Sequence, residues 1–288
     1  MTRSPSSGPA EPAEFDVRAF ARSAHGSLRD DLDLEAVAAA PLAPDVVAVL
    51  DTLAVLEGAT MAHLRNVLVT NTHKDARVTA FLVTWAFEKF WIADALRAIV
   101  DASAGAGAGP GVGAEGRGSP PRTGTAAPGA AASAGRGPVR RAFAGITQGW
   151  AVVGAHMTVG LVDDRALGAA YARVAESSTS AALDAAVGRI VAVKGRHARF
   201  FDEEARRRLT TSPRAARLAR RELRRTAWPL GGAALTAEQR AGFSRFAFGG
   251  PEGHARAADL ERGIAALPGM DARTAAIVRR GLAGRSAA

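Results

Sequence analysis

"RIVAVKGRHARFFDEEARRRL", residues 189–209, decides how the rest of the chain is read. It belongs to a helical pattern over about 181–209 in which apolar and arginine side chains surround His197, with Lys194 three residues before it. The pattern stops before "TTSP", where Pro213 resists continuation, and a shorter helix resumes at 213–227. Upstream, "SSTS" separates it from a third helical pattern, 141–176. Beyond a long interruption lie two more, at 77–100 and 44–70, divided by "NTHKDA". In the earliest of the four, Val47, Leu50, Leu53, Val55, Leu56, Met61, Leu64 and Leu68 recur mostly three or four apart. No alternating strand pattern competes. The expected class is all-α.

The interruption, 102–138, is a Gly/Ala/Pro run without apolar period, too poor in apolar surface to offset its ordering entropy. It reads as a flexible linker, and residues 1–14, rich in Pro, Ser and Gly, read as a disordered N-terminus. "AFAGITQGWAVVGAHMTVGLV", 142–162, has no charged residue and the length of a membrane span. Its four Gly, two Thr, Gln148 and His156 suit the middle of a helical bundle better than a lipid-facing surface, so no membrane span is expected.

With no Cys, disulfides, thiolate metal sites and Cys nucleophiles are excluded. The first residues contain no apolar signal core, which points to a cytoplasmic location. Of the formal charge of +9, a net +7 sits in residues 196–225, where eleven Arg face Asp202, Glu203, Glu204 and Glu222. Such a block suits an acidic protein, anionic lipid or nucleic acid, or is simply a solvated helix face. Arg is the default cation here, so the three Lys, at 74, 89 and 194, stand out.

Connection lengths set the topology. The first and second helices, like the third and fourth, are joined by about six residues, so each pair is expected to be antiparallel. A helix of about 26 residues is about 39 Å long. A flexible linker of roughly 37 residues spans about 30–35 Å on average and can carry the chain along the bundle. Counted from the two short turns, Glu57, Glu88, Asp164 and Lys194 each lie about 14 to 16 residues away, within about 3 Å of the same height in each pair. Carboxylates level with one another on apolar helices face inward only for a reason.

"VLEGATMAHLRNVL" with "TWAFEKFWIADALRAIV", and "DDRALGAAYARVAESS" with 189–209, resemble the two halves of ferritin-like proteins of the acyl-carrier-protein desaturase-like, di-iron kind. "RRTAWPLG", "FGGPEG" and "IAALPGM" are similar to the segment C-terminal to the bundle in actinobacterial members. The resemblance covers 44–270 apart from the linker. It implies a ferritin-like four-helix bundle at 40–210 with one long crossover connection, and a helical C-terminal extension at 211–288.

It also implies metal ligands at Glu57, Glu88, Asp164 and His197, with a second His where Trp91 stands and a bridging Glu where Lys194 stands. Trp91 offers no lone pair and Lys194 brings an ammonium. Two divalent ions need roughly four carboxylates. The expectation is therefore a degenerate di-iron site, non-catalytic or of altered metal chemistry. In it Lys194 is the internal counter-ion of Glu57, Glu88 and Asp164 and no cofactor is held. Iron or manganese at an altered site is the other reading of these residues. The resemblance implies an acyl carrier protein as acidic partner, and a homodimer is the assembly considered. Two other functions stay open: a metal-dependent oxidoreductase acting on an acyl or lipophilic substrate, and a nucleic-acid-binding helical protein. The last rests on the basic block and on "LPGMDARTAAIVRRGL", 267–282, which is similar to a helix-hairpin-helix with Asp271 where a second Gly belongs.

Overall fold

The computed structural model describes residues 14–40, 42–105 and 149–284. Among these every regular element is helical: α1 (Val17–Arg22), α2 (Leu34–Ala39), α3 (Pro44–Gly58), α4 (Thr60–Leu68), α5 (Ala76–Gly105), α6 (Ala151–Ser177), α7 (Ala181–Thr211), α8 (Pro213–Arg225), α9 (Ala237–Phe248), α10 (Gly250–Ala265) and α11 (Ala272–Ala283). The all-α expectation holds.

Local chemistry explains most boundaries. Ser180 starts α7 by accepting the Leu183 amide, and Ser212 starts α8 the same way, with Pro213 in the first turn. Thr236 and Gln239 cap α9 reciprocally. The helix expected at 44–70 is two helices, because "GAT" at 58–60 combines a Gly with a β-branched Thr. The loop after α8 also presses on this break: a Cβ on Gly231 would lie 2.7 Å from the Ala59 Cβ, and φ of +78° keeps that position for glycine. Helix α5 continues to Gly105, so the first residues of the expected linker, 102–105, are helical. The rest of 102–138 lies outside the described residues, as do residues 1–13 and 141–148.

Helix α5 packs on α3 and α4, α7 packs on α6, and the two hairpins meet through α3 with α6 and α5 with α7. Helices α8, α9 and α10 cover the outer side of α6, and α11 packs in turn on these three. Residues 15–40, given no structure from their sequence, form a strap of short helices along α5 and α7. The apolar part of α6, 151–162, is buried apart from half-buried His156. Taken together, α3 and α4 (Pro44–Leu68) have the length and composition of a membrane-crossing segment, and half of its apolar 18-residue window is buried.

The interior divides into two apolar cores. One gathers Leu53, Leu56, Ile92, Leu96, Val162, Tyr171, Ile190 and Val193; the other gathers Phe20, Phe81, Trp85, Leu161, Phe200 and Phe201. At their boundary lie Glu57, Glu88, Lys89, Asp163, Asp164, Lys194 and His197, all buried.

Candidate functional site

The boundary layer is two clusters. In the larger, Glu57, completely buried near the end of α3, faces two ammonium groups. Lys194 Nζ on α7 is 3.1 Å from Glu57 Oε1 and donates to Asp164 Oδ1 on α6 at 2.7 Å. Lys89 Nζ on α5 lies 2.9 Å from the other oxygen, Glu57 Oε2, and 4.0 Å from Asp163 Oδ2. Tyr171 donates its hydroxyl to Glu57 Oε1 at 3.1 Å. The Leu230 amide, from the loop beside the α3–α4 break, donates to Asp163 Oδ1 at 2.9 Å.

Each charge state follows from these neighbours. Burial alone would raise Glu57, but Lys194 and Lys89 bring its pKa down to about 2. Burial alone would depress Lys194, yet the Asp164 and Glu57 carboxylates hold it above the usual lysine range. Asp163, farther from the ammonium groups, is pushed by burial up to about 6. Burial, and then the neighbouring Glu57 carboxylate, raises Tyr171 well above its ordinary value, so it stays a donor. His63 borders this cluster, and His156 lies near His63. His63 falls to about 4 through burial and then Lys89; His156, whose Nδ1 is hydrogen-bonded to Thr72 Oγ1 at 2.8 Å, falls to about 3 through burial. Both are neutral at neutral pH.

The second cluster holds Glu88. His197 Nε2 is 2.7 Å from Glu88 Oε2, and burial keeps the imidazole neutral against the pull of that bond, so Nε2–H is the donor. Nδ1 is buried without a hydrogen-bond partner, and the rings of Phe20 and Phe81 stand edge-on to the imidazole. The other oxygen of Glu88 accepts from Arg196 and, at 2.8 Å, from the His25 amide of the strap. Arg196 also donates to Ser23 Oγ at 3.1 Å, and Phe20 stacks on Phe81 at 5.2 Å, so the strap closes over this dyad.

Of the residues expected at the site, Glu57, Asp164 and Lys194 come together. Glu88 and His197 pair separately, and Lys194 is not the counter-ion of Glu88. Trp91 belongs to neither cluster. It is half-buried with its ring 6.3 Å from Phe87 and 5.1 Å from Phe90. Among the described residues no group of three or more His, Asp or Glu is placed to hold a metal ion. The donor set fits a metal pair poorly, because an ammonium nitrogen stands between the carboxylates that would have to share it.

Sequence reading missed Lys89, Asp163, Tyr171 and Arg196. Lys89 carried the same signal as Lys194, being one of three Lys, and Tyr171 is the single Tyr of the chain.

Beside Lys194 runs an apolar groove of about 430 Å³ between α6 and α7, with Gly168, Tyr171, Val187, Val191, Lys194 and Asp164 among its walls. A larger cleft of about 770 Å³ between α3, α6 and α9 lies away from the charged layer. The basic block is largely neutralised within the fold. At least seven of its eleven Arg sit in ion pairs, among them Arg196, Arg206, Arg207, Arg208, Arg220, Arg221 and Arg224. Buried Glu204 alone binds Arg77, Arg207 and Arg208. Asp271 caps α11 through the Thr274 amide and binds Arg224, while a Cβ on Gly269 would meet Ala216 of α8 at 2.7 Å. The turn at 267–271 is thus packed against α8.

Comparison with protein-family models, characterised proteins and solved structures gives no match.

Proposed function

We propose that this chain is a non-catalytic ferritin-like four-helix protein in which lysine ammonium groups take the place of metal ions. One observation carries the reading: Lys194 Nζ lies 3.1 Å from Glu57 and 2.7 Å from Asp164. Lys89 completes the neutralisation of Glu57 from the opposite oxygen. A fixed ammonium balances the carboxylates without redox chemistry, so the protein acts through binding. The exposed Arg217 and Arg225 on α8 offer positive charge to an acidic partner, with an acyl carrier protein as the candidate by resemblance.

Metal analysis after expression with added iron and manganese tests this. Well under one equivalent per chain is expected. Lys194→Glu, which puts a third carboxylate beside Glu57 and Asp164, should raise the uptake. Trp91→His should not, given the place of Trp91 among Phe87 and Phe90. Two tightly held ions in the unmodified protein would end the proposal.

The groove beside Lys194 favours a second reading, in which an acyl or other lipophilic ligand lies between α6 and α7. Displacement of a fluorescent fatty acid, lost in Gly188→Leu, would support it.

A further inference from the structure

Helix α5 carries an outward stripe that nothing among the described residues covers. Residues 76, 80, 83, 87, 90, 94, 97 and 101 alternate four and three apart, and all are exposed except half-buried Asp94. The N-terminal half of this stripe is apolar. Val83 is 53%, Phe87 46% and Phe90 51% exposed, and Ala76 and Ala80 continue it. Its C-terminal half carries Asp94, Arg97 and Asp101, and the turn before α5 carries Lys74. Asp94, Asp101 and Lys74 take part in no ion pair among the described residues. The Arg97 guanidinium instead lies over Gly58, 3.0 Å from where a Cβ would stand.

We infer that this stripe is the contact between two copies of the chain, with the two α5 helices antiparallel about a two-fold axis near residue 85. The pattern selects the occupant. In that register Phe90 meets Ala80 of the second copy and Phe87 meets Val83, and the two-fold repeats both layers, so four successive layers are wholly apolar. Beyond them Ala76 of the second copy falls opposite Asp94, and Lys74, in the turn just before that helix, comes next on the side of Asp101. Each end therefore places two carboxylates around one ammonium. A parallel pair would set Asp94 against Asp94 and Asp101 against Asp101. A lipid surface would leave those acids facing anionic headgroups.

Four layers span only about 15 Å of helix, less than the roughly 800 Å² per partner of a standard stable interface, so the dimer is a dissociating one. Sedimentation velocity of the full chain between about 1 and about 200 μM should show a reversible monomer–dimer equilibrium, and Phe87→Glu should raise its Kd at least about tenfold. Phe87 is half exposed, so this variant keeps its helicity and melting temperature. Asp94→Lys and Lys74→Glu should each weaken the dimer, and the two together should restore it, which tests the antiparallel register itself. A monomer throughout the range, or a dimer indifferent to Phe87→Glu, overturns the inference. So does a monomer that binds phosphatidylglycerol vesicles through Phe87. Single charge variants that both weaken the dimer without restoration in the pair also overturn it.

Discussion

Lys194→Met removes the ammonium at the centre of the layer while keeping most of the side chain's volume. Its two carboxylate partners respond differently. Glu57 keeps Lys89 at 2.9 Å and the Tyr171 hydroxyl at 3.1 Å. Asp164, 5% exposed, loses the ammonium that donates to it at 2.7 Å. Breaking a buried pair from one side costs about 3–5 kcal/mol, and here the cost falls chiefly on Asp164. Urea unfolding followed by circular dichroism at pH 7 measures it. Adding Asp164→Asn should recover at least about 1.5 kcal/mol of the loss, since the stranded charge is gone. Adding Glu88→Gln should instead be additive within about 0.5 kcal/mol, because Glu88 is held by Arg196 and His197. Lys194 has a raised folded pKa, so its contribution is complete below the unfolded value of 10.5 and fades as pH rises beyond it. That alkaline decline should be weaker in the Met variant. A loss below about 1 kcal/mol, as for an exposed pair, would refute the buried-ammonium argument.

His63 and His156 are held neutral in the fold, with pKa near 4 and 3 against 6.5 unfolded, so the unfolded chain binds more protons and stability falls as pH drops below 6.5. His63→Leu should flatten that decline by up to about 1.4 kcal/mol per pH unit between 6.5 and 4, measured as ΔG against pH. Gly160→Ala, whose Cβ would stand 2.5 Å from the Phe201 ring, should cost about 1–3 kcal/mol in chemical unfolding. Asp271→Ala removes the α11 cap and a partner of Arg224 and should cost about 1 kcal/mol, read as a lower Tm. With most of the basic block paired internally, DNA binding should be weak, and its salt slope should report few phosphate contacts in a fluorescence-anisotropy titration.

The long helices were legible because their apolar periodicity, short turns and the Ser-Pro stop at 212–213 are local signals. The level placement of Glu57, Asp164 and Lys194 was legible because rise per residue is fixed in a helix. Which carboxylate Lys194 meets was not, since facing depends on helix rotation, and Glu88 lies one residue from the position that faces Glu57. Lys89 holds that position. The break at Ala59 was hidden because it depends on Gly231, far along the chain, as much as on Gly58 and Thr60. The strap escaped because α1 and α2 are too short to show a period. Its anchors are tertiary: the Phe15 amide on Glu203, the His25 amide on Glu88 and Arg77 on the Phe15 carbonyl.

The charged layer is knit across the two hairpins. The α3–α5 hairpin supplies Glu57, Glu88 and Lys89, and each has a partner on α6 or α7: Lys194 for Glu57, Arg196 and His197 for Glu88, Asp163 for Lys89. Apolar cores would tolerate a slide of one hairpin along the other by a helical turn, about 5.4 Å, with modest repacking. The layer does not, because such a slide strands buried ions on both sides at once. It therefore works as a vernier between two halves that share no short connection, admitting one alignment and rejecting its neighbours. A chain cut between 105 and 149 should accordingly reassemble from its two pieces only with partners of matching charge. Charge-reversed Glu57→Lys in one piece would be accepted best by a piece carrying Lys194→Glu.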